Sequence, residues 1–121
     1  MLAVTLYCTD RAIETGLRDG LCAFLPRILA DALSVPGDQL VPEDVTIRYG
    51  YAEEWVSPRG DDFRVLIETE DRDRLDEDWG AAITLAAIQM RSCLPVGVSG
   101  LIEVPVEGEL FREASVSTSL R

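Results

Sequence analysis

A chain of 121 residues and 13.3 kDa is the size of a single domain. Its 22 acids outnumber 11 bases, all of them arginine, for a net charge of −11, and lysine, histidine and asparagine are absent. Without histidine there is no Ser-His-Asp or Cys-His catalysis, no histidine-ligated metal and no imidazole switch. The acidity argues against nucleic-acid binding, which draws on many cationic contacts, and an apolar content of 47% argues against disorder.

The first predicted element is a strand, Leu2 to Cys8, with Leu2, Val4 and Leu6 on one face and Ala3, Thr5 and Tyr7 on the other. Asp10 then stands at an N-cap position, and Ile13, Leu17, Leu21, Phe24 and Ile28 form the apolar stripe of a helix running to about Ser34. Pro26 lies inside that helix and predicts a kink, because it removes the hydrogen bond to residue 22. Val35-Pro36-Gly37 ends it.

A second strand covers Val45 to Tyr51, with Val45, Ile47, Tyr49 and Tyr51 sharing a face and Arg48 on the other. Ala52 to Asp62 is polar and reads as an exposed flap containing Arg59. Phe63 to Thr69 is a third strand, and a second helix runs from Asp71 or Asp76 to Arg91 with Leu75, Trp79, Ala82, Ala86 and Met90 on its stripe. Val98 to Val106 is a fourth strand, whose Pro105 belongs at an edge or bulge. Residues 107–121 read as a C-terminal tail behind a single domain over 1–106.

The order is β-α-β-β-α-β, an α+β two-layer sandwich. Val4 to Arg11 aligns with Val65 to Arg72 at three identities in eight positions, and both segments pass from strand to helix start, as two β-α-β halves would. The acids concentrate locally: residues 61–80 carry a net −6 of the total −11, as a solvated face at a helix start. The run from Asp71 lacks the alternate acids and sixth-position glycine of a calcium loop, so no metal site is expected. Cys8, Cys22 and Cys93 are odd in number and form no C-x-x-C, as in a reducing, cytoplasmic setting. No signal peptide and no membrane span are expected.

The opening run Leu2 to Asp10 entering a helix, the run Val45 to Tyr49, the following loop and Phe63 to Thr69 resemble the tautomerase superfamily over roughly residues 2 to 106. Within it they are most similar to the branch that includes 5-carboxymethyl-2-hydroxymuconate isomerase. The resemblance implies a tautomerase-like homotrimer with sheets facing a central core and sites near subunit boundaries. It further implies an N-terminal proline as general base, arginines that grip a substrate carboxylate, and no metal or cofactor.

Leu2 stands where the family has proline, so the proline mechanism does not carry over. What remains as base is the primary amine of Met1 or Leu2; an ordinary α-amino group, with a pKa of about 7.7–8.0, is partly neutral at pH 7. Arg48 and Arg59 are the candidate carboxylate-binding residues. Tyr49, with Tyr51 and Trp55, is placed to line a pocket or a subunit contact. Three functions stay open: a cofactor-independent isomerase moving a proton α to a carbonyl of a small carboxylate, a non-catalytic trimeric relative, and a ferredoxin-like ligand-binding module.

Overall fold

The structure is a computed structural model and describes residues 2–34, 37, 39–50, 60–68, 79–104 and 112–117. The elements are β1 (Leu2–Cys8), α1 (Asp10–Glu14), α2 (Leu17–Leu33), a 3-10 turn (Pro42–Asp44), β2 (Val45–Tyr49), β3 (Phe63–Glu68), α3 (Trp79–Arg91), β4 (Ser99–Val104) and β5 (Arg112–Ser117). Among the described residues, five strands make one sheet in the order β2-β1-β3-β4-β5.

Alternation sets the faces. Leu2, Val4, Leu6 and Cys8 of β1 and Phe63, Val65 and Ile67 of β3 are buried beneath the helices. They meet Leu21, Leu25 and Leu29 of α2 and Ile83, Ala86 and Met90 of α3 in one core. The fold is therefore a two-layer α+β sandwich, with the opposite face of the sheet free of described helices.

β1 pairs parallel with β2, Leu2 opposite Val45, and β3 pairs parallel with β4, Phe63 opposite Gly100. The two halves join antiparallel along β1 and β3, where Thr5 faces Leu66. Thr5 and Leu66 are also equivalent positions in the eight-residue repeat, as are Leu2 and Phe63 at the same offset. A local two-fold between Thr5 and Leu66 thus relates two β-α-β units of the same register. Each unit's parallel strands are direct neighbours, whereas a ferredoxin-like sheet splits them with an intervening strand. That alternative is corrected by the pairing.

Three local expectations are also corrected. The first helical cap is Thr9, whose Oγ1 accepts the Ala12 N–H at 3.2 Å, and Asp10 is the first helical residue. The helix breaks at Gly16, which adopts a left-handed φ of +81°, and Pro26 lies inside α2. The break turns α1 away, so Ile13 is exposed although it continues the apolar stripe in sequence. Finally, the region read as a tail contributes β5, which pairs antiparallel with β4 and buries Val116 beside Gly100. The second helix is described from Trp79 onward; its expected start at Asp71 or Asp76, Tyr51, Trp55 and Pro105 lie outside the described residues.

Candidate functional site

The helix-free face carries the strand arginines. Arg48 donates from Nε to Thr5 Oγ1 at 2.9 Å, across the pairing of β2 with β1. Arg64 donates from Nη2 to Glu103 Oε2 at 2.5 Å and lies 5.4 Å from the centre of the Tyr7 ring. Thr5 is 4% exposed and Glu103 is buried, so both arginines are held by partners within the chain.

Tyr49 follows Arg48 in the strand and therefore projects to the helical side. Its hydroxyl lies 3.1 Å from Cys22 Sγ, and the Arg18 guanidinium stacks 4.4 Å from its ring centre. The hydrogen bond to Cys22 raises the Tyr49 pKa, with the charge of Cys22 acting the same way and Arg18 opposing. Burial pushes the nearby Cys8 thiol up to about 11, against the pull of Arg18.

Of the residues expected to act together, Leu2, Arg48 and Tyr49 are described, and they stand apart. Leu2 packs its side chain into the core at 1% exposure. Arg48 sits opposite Thr5, three residues further along β1, roughly 10 Å away at the rise of a strand. Arg48 and Tyr49 occupy opposite faces of the sheet, and Met1 and Arg59 lie outside the described residues.

A different set of residues encloses space. A cavity of about 450 Å³ lies between the α1–α2 elbow and the segment joining α3 to β4. Its walls are largely apolar, from Leu17 and Phe24 on one side and Leu94, Pro95, Val96 and Val98 on the other. Arg11, Thr15, Asp62 and Cys93 bring polar groups to it, and Gly16, Gly20 and Gly97 leave it room. A Cβ placed on Gly20 would meet no atom within 4 Å. This volume lies in the range of small-molecule sites, which are mostly apolar with a few placed polar groups.

The backbone around Asp62 is tightly fixed. Its carbonyl accepts the Thr9 N–H at 3.0 Å, its N–H bonds the Ser99 carbonyl at 2.8 Å, and its Oδ2 accepts the Ser99 N–H at 3.1 Å. The cavity is therefore at the C-terminal end of β1, opposite the end that holds Leu2. Sequence reasoning missed it because its walls come from positions 11–24, 62 and 93–98, with no local motif linking them. The nearest signal was the pair Gly16 and Gly20, one helical turn apart.

Among the described residues no three Asp, Glu or Cys side chains gather as metal ligands, and no helix is long and apolar enough to cross a membrane. No protein-family model, curated protein or solved structure matches the chain.

Proposed function

We propose that this chain is a non-catalytic, tautomerase-like binding protein that takes up a small carboxylate in the cavity at the C-terminal end of β1. The observation that carries the reading is the cavity itself: about 450 Å³, apolar walls and the exposed Arg11 at its lining. Arg11 has no hydrogen bond or ion pair through its guanidinium among the described residues, unlike Arg48 and Arg64. An arginine without a protein partner beside an apolar cavity suits a ligand with an acidic head and an apolar body.

The tautomerase-like part of the reading is supported by two β-α-β units, each closed on itself and joined antiparallel at β1 and β3. Assembly as a homotrimer through the helix-free sheet face goes with it, as does a cytoplasmic setting, which three free cysteines fit. The isomerase reading keeps the same sheet arrangement in its favour. Against it stand the buried Leu2 side chain and the engagement of Arg48 with Thr5.

The test pairs binding with turnover. Phenylpyruvate titrated into the purified protein is expected to bind saturably, with no ketonisation above a Leu2-deleted control. Ketonisation that this deletion abolishes would replace the binding reading with the isomerase one. Light scattering on the same sample is expected to give a trimer, and a monomer would remove the trimeric part.

A further inference from the structure

Two opposite charges line the cavity and leave each other alone. Arg11 follows Thr9 by two residues, and the Thr9 N–H is bonded to the Asp62 carbonyl at 3.0 Å, so both side chains arise from adjoining backbone. Yet Arg11 and Asp62 make no ion pair, and no other described residue neutralises Arg11. Asp62 commits Oδ2 to the Ser99 N–H, which leaves Oδ1 without a protein donor among the described residues. Neighbouring opposite charges that do not pair, set beside apolar walls, match a ligand that brings both charges itself.

We infer that the cavity is a site for an apolar α-amino acid, with its carboxylate on Arg11, its ammonium on Asp62 and its side chain against Phe24, Leu94 and Val96. The inference rests on the cavity being a binding site and specifies what enters it. A plain carboxylate would leave Asp62 facing the ligand's apolar body, and a plain amine would leave Arg11 without its anion. In both cases one of the two charged groups gains no partner from the ligand.

The experiment compares L-phenylalanine, phenylacetate and phenethylamine by isothermal titration calorimetry on the purified protein. L-phenylalanine is expected to bind at least about tenfold more tightly than either, the scale of one lost charge-assisted contact. Arg11→Gln is expected to bring L-phenylalanine down to the level of phenethylamine. Asp62→Asn, which keeps an acceptor for the Ser99 N–H, is expected to bring it down to the level of phenylacetate. Gly20→Leu fills the cavity from a helical position with free space around it, and is expected to abolish binding with the circular dichroism unchanged.

Phenylacetate binding as tightly as L-phenylalanine would overturn the amino-acid assignment while leaving the small-carboxylate reading in place. Failure of all three ligands, or binding untouched by Gly20→Leu in a folded protein, would overturn both.

Discussion

Gly100 occupies a point in the sheet where no side chain fits. It lies opposite Phe63 in the β3–β4 pair, and a Cβ there would run into the fully buried Phe63 ring. Gly100→Ala is therefore expected to destabilise the fold by about 1–3 kcal/mol, the usual cost of overpacking, read as a lower urea midpoint at constant slope. Cys8 gives a prediction in pH. Its thiol titrates near 11 in the fold, against an ordinary 9.0, because burial opposes the thiolate. The folded state thus holds the proton that the unfolded state releases, and stability falls as pH rises from about 9 to about 11, by about 3 kcal/mol in all. Cys8→Ala is expected to lose that component of the pH dependence while the rest of the profile remains. Alkylation at pH 8 is expected to reach the exposed Cys93 well before Cys8.

At the scale of elements, two glycines four residues apart behave oppositely. Gly16 holds a left-handed φ of +81° between α1 and α2, so Gly16→Ala is expected to cost about 1–2 kcal/mol. Gly20 lies in the first turns of α2 with nothing around its Cα position, so Gly20→Ala is expected to gain about 0.5–1 kcal/mol and raise the Tm. The sequence made the helix visible through Leu17, Leu21 and Ile28, which are all buried. It hid the break, because Ile13 extends the same spacing and the left-handed turn rests on Gly16 alone. β5 was hidden for another reason: Ser115-Val116-Ser117 is a short alternating run whose serines read as a mobile tail, yet Val116 is buried and both serines are exposed. Across β3 and β4, Glu103→Ala is expected to destabilise by about 3 kcal/mol, since it strips the carboxylate from the mostly buried Arg64, whereas Glu103→Gln keeps a hydrogen-bond acceptor and costs less.

For the whole molecule, the local two-fold through Thr5 and Leu66 explains why a faint repeat was readable at all: equivalent strands need equivalent alternation. The α+β class and the order of four strands were legible from that alternation. The neighbours of each strand were not, because pairing is set by which crossovers close and leaves no local pattern. The cavity was hidden for a related reason. Arg48 and Tyr49 are adjacent in sequence, and strand geometry sends them to opposite faces, while Arg11, Asp62 and Val96 are brought together only by the folded chain. The central claim is that ligand enters at the C-terminal end of β1. Its most direct test is amide chemical-shift mapping as phenylpyruvate is added to the uniformly labelled protein. The account predicts shifts confined to residues 11–24, 62 and 93–98, around the cavity. Shifts centred on residues 2–5 and 45–48, at the opposite end of β1, would contradict it.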